Sequence, residues 1–391
     1  MKLKKVKFNN HKVLRDLEVI FEDKNNNILD TTVLIGANGA GKTSLLKGIY
    51  DAFCWRTAIY INTDTKLYLE ANPTEINNMA FIQCGSDEGQ WNAIKDKLYE
   101  FNINNDNNTE SKVIYMPTEI NFNLLNRVDR SFKYDYNFIN EINQNLVADL
   151  PSVIANAINA EVFKNEDLPP KQSIKKICDD INSIFKYMDL EIKFIGLSKD
   201  EDSKPIFKDI TGNEFDIENL SSGEKQLFLR ALSLKFLNPN NSIVLIDEPE
   251  ISLHPQWQRK IIKVYESIGE NNQLIIATHS PHVVGDIKRE QLRVLKRDEN
   301  GVSIVDNDRL DETYGHTVES ILKSIMGLNS VRNDYIEKKF ENLRELLQDE
   351  LYDTDEFKDI YEELKDYLGN LDIDLNLINL DIRRRERKKG K

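Results

Sequence analysis

Three short stretches of this chain carry residue types and spacings that can handle phosphate. The first is a glycine-rich run that ends in Lys42 and Thr43, after the apolar segment 33–35 and before a helical pattern of apolar residues. In a strand–loop–helix of this kind, glycines let backbone N–H groups surround an anion at the positive end of the helix. The lysine can reach the β- and γ-phosphates, and the threonine hydroxyl can ligate Mg²⁺. The pattern predicts nucleoside triphosphate binding by Gly36, Asn38, Gly39, Ala40, Gly41, Lys42, Thr43 and Ser44.

The second stretch consists of polar residues at the ends of two apolar segments. Asp247 and Glu248 follow the run 243–246, and His279 closes the run that begins at Leu274. Fully apolar strands are typical of parallel sheets, whose carboxyl ends form ligand sites. A lone histidine at a strand end is usually structural, and only the neighbouring motifs favour a role for His279. The other histidines lack such neighbours and are interpreted as structural: His11, His254, His282 and His316.

The third stretch, Ser221-Ser222-Gly223-Glu224, precedes a helix with apolar residues from Leu227 onwards. Ser221 and Glu224 have the spacing of a capping box, in which each side chain bonds to the backbone N–H of the other residue. A well-capped helix start is therefore a sufficient explanation of these residues taken alone.

The composition limits the possible functions. The chain has 391 residues, enough for one large domain or two ordinary ones, and 40% of them are hydrophobic. Its formal charge of −14 excludes a generally basic surface, so any contact with nucleic acid needs a local basic patch. Three cysteines without metal-binding spacing suit a reducing compartment. With no apolar stretch of about 18 residues and no signal core, we expect a soluble, cytoplasmic protein without a membrane partner.

The hydrophobic patterns predict an α/β fold in four parts. Strands are expected at 3–8, 17–21, 113–116, 191–197 and 292–295. Between them lies a helical region with one apolar face: Ile139, Ile142, Leu146, Leu150, Ile154 and Ile158. The tail from Val318 is helical and ends in a cluster of seven basic residues, while the segment 55–110 has no clear pattern beyond Asn-rich loops. We divide the chain into residues 1–119, a helical insertion 120–205, residues 206–312 and a helical tail 313–391.

The phosphate loop, L-S-S-G-E, V-L-I-D-E-P and I-A-T-H-S, in this order, resemble the motifs of ABC-type ATPases of the RecF, SMC and OLD-like branch. The resemblance implies an α/β ABC-ATPase head with a mixed sheet and ATP and Mg²⁺ as ligands. It implies that Asp247 and Thr43 hold Mg²⁺, that Glu248 activates water and that His279 contacts the γ-phosphate. It further implies that the L-S-S-G-E residues Ser221, Ser222, Gly223 and Glu224 reach the ATP of a second copy, in a head-to-tail homodimer or a higher even oligomer.

Three departures from the family pattern stand out. Ser222 replaces a glycine of the commonest signature, and the L-H-P loop at 253–255 stands where transporters have an aspartate. No glutamine follows the strand at 113–116, so Thr118 or Glu119 occupies the place where the family has its Q-loop residue.

The segment 313–322 and the tail resemble the stand-alone ATPases of prokaryotic anti-phage systems, of the Septu and retron-associated types. That resemblance implies a separately encoded effector, a nuclease, because the chain has no clear nuclease motif of its own. Asp372-Ile373-Asp374 has the D-x-D spacing of a Toprim nuclease but no preceding glycine-rich strand, and we interpret it as solvated surface. The alternative is a RecF-like DNA repair clamp; a transporter subunit is disfavoured by the L-H-P loop. The protein encoded by the neighbouring open reading frame, whether a nuclease, a recombination protein or a permease, would discriminate among these three functions.

Overall fold

The computed structural model describes residues 1–54, 64–70, 79–84, 111–120, 125–126, 128–129, 139–165, 167–199, 204–299 and 301–389. It divides into two units, Met1–Ile321 and Leu322–Lys391. The strands are β1 (Lys2–Asn9), β2 (Glu18–Ile20), β3 (Thr31–Ile35), β4 (Asp64–Glu70), β5 (Met79–Cys84), β6 (Val113–Met116), β7 (Ile139–Glu141), β8 (Ile192–Leu197), β9 (Pro205–Asp209), β10 (Glu214–Asp216), β11 (Ile243–Asp247), β12 (Gln273–Ala277), β13 (Leu292–Asp298) and β14 (Gly301–Val305).

Among the described residues, eight helices lie in the first unit, one crosses the boundary between the units and three lie in the second. They are α1 (Lys42–Cys54), α2 (Gln144–Ala148), α3 (Leu150–Lys164), α4 (Pro170–Ile184), α5 (Ser222–Phe236), α6 (Pro255–Gln258), α7 (Ile261–Glu266), α8 (Pro281–Val284), α9 (Val318–Ser324), α10 (Asp334–Gln348), α11 (Asp355–Leu368) and α12 (Ile373–Lys389). None of the helices in the described ranges is long and apolar enough to cross a bilayer.

A seven-stranded sheet of order β14-β13-β3-β12-β11-β6-β7 organises the first unit. All neighbouring strands in it are parallel except β13 and β14. Every residue of β3, β11 and β12 is buried, as expected of strands covered on both faces. The mixed sheet with helices confirms the predicted α/β class. Because β3, β11 and β12 are adjacent and parallel, the residues that follow them meet at one edge.

Two antiparallel sheets complete the first unit, of order β2-β1-β4-β5 and β10-β9-β8. β4 and β5 come from the segment 55–110, in which no strand was predicted. The Asn-rich clusters of that segment lie outside the described residues. In the second sheet, β8 confirms the strand expected at 191–197, whereas β9 and β10 were not predicted.

The prediction of a continuous helical face from Ile139 onwards was wrong at its start. Ile139 lies in β7 and pairs with Val113 of β6, so the insertion also contributes an edge strand to the main sheet. The side chain of Asn143 accepts hydrogen bonds from the backbone N–H groups of Asn145 and Leu146. This cap begins α2 and prevents the helix from reaching back to Ile139. Further along, the predicted face is buried at Leu146, Leu150, Ile154 and Ile158.

The second unit is built from α10, α11 and α12 around an apolar core. The core residues recur at helical spacing, and they are Ile336, Phe340, Leu343, Leu347, Phe357, Leu364, Leu375 and Ile378. Asp372 and Asp374, which we interpreted as solvated, are instead half-buried and paired with Arg332, at 2.8 and 2.7 Å from its Nη2. The D-x-D residues thus form an ion pair that joins α12 to the segment before α10.

Candidate active site

The phosphate loop connects β3 to α1 and depends on glycine at defined positions. A Cβ atom on Gly36 would lie 2.4 Å from the carbonyl oxygen of Leu295 in β13, which no side chain could accommodate. Gly41 has a φ of 97°, and a Cβ there would lie 3.0 Å from Leu14 Cδ2. Both glycines therefore let the loop pack closely against its neighbours in a conformation that other residues rarely adopt.

Lys42, the first residue of α1, is buried inside the loop, with 4% of its surface exposed. Its Nζ donates to the carbonyl oxygen of Gly36 at 2.8 Å and lies 2.7 Å from His279 Nε2. Burial lowers the pKa of Lys42, and the nearby carboxylates of Glu248 and Asp247 oppose that shift. The ammonium group is thus positioned between the loop and the two strand-end motifs.

Asp247 ends β11 and carries the donor set expected of a magnesium ligand. Burial raises the pKa of Asp247, while hydrogen bonding by the side chains of Thr43 and Thr118, and then the charge of Lys42, lower it. The Oδ1 atom is buried and, within the described part of the chain, has no hydrogen-bond partner. A buried carboxylate oxygen without a donor, next to a hydroxyl, fits a hard cation such as Mg²⁺.

The structure places differently the two residues that stand where the family has its Q-loop glutamine. The side chain of Thr118 is near enough to Asp247 to lower the pKa of its carboxyl group, whereas Glu119 is exposed. Thr118 is therefore the one of the two that lies beside the candidate metal site.

Glu248 follows Asp247 with a φ of 48°, in the left-handed region that non-glycine residues seldom adopt. Its Oε2 accepts a hydrogen bond from the backbone N–H of His279 at 3.2 Å, and its Oε1 lies 3.3 Å from His279 Nε2. Burial, and then the nearby carboxylate of Glu250, raise the pKa of Glu248 to about 8. Burial and the charge of Lys42 lower the pKa of His279. The contact between Glu248 and His279 therefore joins two groups whose neutral forms are favoured, and it is not a strong ion pair.

Arg230 is a site residue that the sequence analysis missed. It projects from α5 and is 1% exposed. Its guanidinium donates to the carbonyl oxygens of Glu248 at 3.0 Å and Thr118 at 3.1 Å, and to that of Pro117. A single side chain thus connects the helix that begins at L-S-S-G-E to the end of β11 and to the β6 loop. The available signal was a charged residue among the buried positions of an apolar helix.

We expect Arg230→Met to destabilise the first unit by about 3 kcal/mol, because it leaves buried carbonyl groups without their donor. Chemical denaturation followed by circular dichroism measures the change. The control is Arg259→Met, since Arg259 is exposed and makes a 3.5 Å surface pair with Asp286. That variant should stay within about 1 kcal/mol of wild type. Equal stability of the two variants would show that the Arg230 contacts carry little energy.

The L-S-S-G-E residues begin α5 with the capping box that their spacing predicted. Ser221 Oγ accepts from the backbone N–H of Glu224 at 3.3 Å, and Glu224 Oε2 accepts from that of Ser221 at 3.0 Å. Ser221 and Ser222 are exposed, whereas Gly223 is buried, with its Cβ position 2.8 Å from the carbonyl oxygen of Ser252. The cap accounts for the helix start and leaves the serines at the surface.

Two of the four remaining histidines, His11 and His254, make local contacts with the backbone. His11 Nδ1 accepts from the backbone N–H groups of Val13 and Leu14, and the side chain of His254 caps α6. Both roles agree with the structural interpretation of these residues.

With this geometry established, comparison with known proteins gives a family. A model described as "AAA domain, putative AbiEii toxin, Type IV TA system" matches residues 86–285, about half of the chain. The chain belongs to this family.

Similarity to individual proteins confirms the predicted resemblance to defence ATPases. The Septu protein PtuA of Bacillus thuringiensis is 32% identical over 170 residues, which cover 39% of this chain and 42% of that protein. The retron Vc95 probable ATPase of Vibrio cholerae is 40% identical over 95 residues, 22% of this chain and 18% of that protein. PtuA of Bacillus mycoides is 21% identical over 82% of this chain and 44% of its own length. The chain thus spans less than half the length of these relatives.

Among solved structures, SMC head domains are similar to this chain. The head domain bound to the C-terminal winged-helix domain of ScpA has a TM-score of 0.46 and 14% identity, over 78% of this chain and 97% of that one. The Thermotoga maritima head domain has a TM-score of 0.43 and 16% identity, over 78% and 98%. These values describe a distant likeness in fold and say nothing about function.

Proposed function

We propose that this ATPase-family chain hydrolyses ATP with Mg²⁺ at the edge formed by β3, β11 and β12. The convergence of Lys42, His279 and Glu248 supports the proposal most directly. The Nζ of Lys42 lies 2.7 Å from the His279 ring, which lies 3.3 Å from the Glu248 carboxylate. A cation for the phosphates, a carboxylate for water and a histidine between them are the groups that phosphoryl transfer to water requires.

Each side chain has a defined task in this proposal. The N–H groups of the phosphate loop and Lys42 bind the β- and γ-phosphates, and His279 contacts the γ-phosphate. Thr43 and Asp247 would hold Mg²⁺, which neutralises charge on the phosphate oxygens. Glu248 orients the attacking water and accepts its proton, for which its carboxylate must be ionised. Burial and Glu250 oppose that ionisation, and the positive charge of Lys42 favours it.

We further propose that two copies share each site in a head-to-tail dimer. Ser221 and Ser222 are exposed at the start of α5, where backbone N–H groups can bind a phosphate of the other copy. A two-fold arrangement then completes two sites at once.

At the level of the cell, we propose a cytoplasmic ATPase that regulates a separately encoded effector, a nuclease, in anti-phage defence. The similarity to Septu and retron proteins supports this proposal over a RecF-like repair clamp. The second unit, with its basic end at Arg383–Arg385, is a candidate docking element for the effector or for nucleic acid.

The purified chain is expected to hydrolyse ATP but to cut neither DNA nor RNA with Mg²⁺ or Mn²⁺. Co-expressed with its genomic neighbour, it should co-purify with that protein. Removing residues 330–391 should weaken the association. Nucleotide binding should survive, because the deletion leaves the first unit whole, including the side chain of Ile321 beside Gly285. Pull-down and binding of a fluorescent ATP analogue measure the two effects. Metal-dependent cleavage by the chain alone, lost on changing Asp372 and Asp374, would show that the nuclease lies in this chain.

A further inference from the structure

We infer that Glu250 is a positioning residue, which holds the loop 278–280 so that the His279 ring stays between Lys42 and Glu248. The inference rests on the proposed ATP hydrolysis and assigns a residue to it that no motif indicated. Glu250 lies behind the loop with 5% of its surface exposed. Its Oε1 accepts hydrogen bonds from the backbone N–H groups of His279 and Ser280, each at 3.1 Å, and from the hydroxyl of Thr278.

The chemistry of these contacts explains why a long side chain with an acceptor oxygen is needed here. Three donors from consecutive residues converge on one oxygen, and two of them are backbone groups that must be paired where they are buried. The N–H of His279 is shared with Glu248 Oε2 at 3.2 Å, and that of Ser280 with Thr278 Oγ1 at 2.9 Å. Hydrogen bonds to a carboxylate are also stronger than those between neutral groups. A second anchor follows, because Ser280 Oγ donates to Gln258 Oε1 at 2.7 Å and caps α8. Glu250 and Gln258 thus secure the loop on either side of its turn into α8.

The His279 ring depends on this anchoring, since little packing restrains it. Its side chain is 41% exposed, whereas that of Glu248 is 16% exposed. The ring nevertheless lies 2.7 Å from Lys42 Nζ and 3.3 Å from Glu248 Oε1. A half-exposed ring keeps such contacts only if its backbone is fixed, and the backbone N–H of His279 is bound by Glu248 and Glu250 together. Freeing the loop would therefore misplace the histidine without altering the phosphate loop.

Two substitutions distinguish the positioning effect of the Glu250 side chain from the effect of its negative charge. Glu250→Gln keeps an acceptor oxygen at the same reach but removes the charge, whereas Glu250→Asp keeps the charge but shortens the reach by one methylene. We expect kcat for ATP to fall by about 10-fold or more in Glu250→Asp. In Glu250→Gln it should not fall by more than about 3-fold, because loss of the neighbouring charge lowers the pKa of Glu248 and favours its ionised form. The dissociation constant of a fluorescent ATP analogue should change by less than about 3-fold in both, because the phosphate loop is intact. Glu270→Asp, at an exposed glutamate, is the matched control.

A second measurement does not require activity. With 13C-labelled histidine, the Cε1–H resonance of His279 is assigned by its loss in His279→Gln. In the nucleotide-free wild type and in Glu250→Gln this resonance should shift when Lys42 is changed to Met, since the ammonium lies beside the ring. In Glu250→Asp it should not respond to that change.

The outcomes are distinguishable. A wild-type protein that shows the expected resonance behaviour but no hydrolysis would refute the proposed function and leave the role of Glu250 intact. Full activity of Glu250→Asp with a responsive His279 resonance would overturn the positioning role. So would loss of kcat in Glu250→Gln with retention in Glu250→Asp, which would show that Glu250 acts through its charge.

Discussion

The Glu248→Gln variant is expected to bind ATP but to hydrolyse it at least about 100-fold more slowly than wild type, since a positioned carboxylate base contributes roughly 10²–10⁴-fold. Glutamine keeps the size of the side chain and an oxygen that can accept from the backbone N–H of His279, as Glu248 Oε2 does at 3.2 Å. It cannot accept the proton of the attacking water. Nucleotide binding through Lys42 and the phosphate loop should be unaffected, so the ATP-bound dimer should accumulate.

Phosphate release and sedimentation velocity in the presence of ATP measure the two consequences. Glu270→Gln is the matched control, because Glu270 is an exposed glutamate. It should hydrolyse ATP at the wild-type rate and dissociate normally after turnover. Hydrolysis by Glu248→Gln within a few-fold of wild type would show that another group activates the water.

The second large effect is expected when two inactive variants are mixed. Lys42→Ala removes the buried ammonium of the phosphate loop, and Ser221→Arg places a bulky cation on the exposed start of α5. Each variant alone should show almost no hydrolysis, because in a head-to-tail dimer every site contains the same defect. A mixed dimer has one site that combines Lys42 of one copy with Ser221 of the other.

Mixing the two variants in equal amounts should restore about a quarter of wild-type hydrolysis, since half of the dimers are mixed and each has one complete site. ATPase activity after subunit exchange, followed by fluorescence transfer between labelled copies, provides the measurement. Ser183→Arg, at an exposed serine of α4, controls for the added charge and should be active alone. No recovery despite demonstrated exchange would favour a site contained in one copy or obligatory coupling of both sites.

The sequence alone determined the family, the α/β class and the strand ends at which the motifs meet. It could do so because the relevant signals are local. The apolar runs that became β3, β11 and β12 predict strands buried on both faces, and parallel neighbours must present their following residues at one edge. The capping box at Ser221 and the glycine-rich loop are likewise set by residues a few positions apart.

Other features were decided only by the tertiary structure. The spacing of Ile139 and Ile142 continues a helical period, but the cap at Asn143 and the free edge of β6 make the segment of Ile139 a strand. The sequence analysis assigned no role to Arg230 or to Glu250.

The importance of these two side chains comes from partners far away in sequence. Arg230 binds the carbonyl oxygen of Thr118, 112 residues before it, and Glu250 binds the loop at His279, 29 residues after it. No periodicity encodes such pairs, because a buried polar group is satisfied by whichever donors or acceptors the packed chain brings to it. Local patterns thus predicted the groups that we propose to contact phosphate, and only the fold showed that Arg230 and Glu250 bind the loops that carry them.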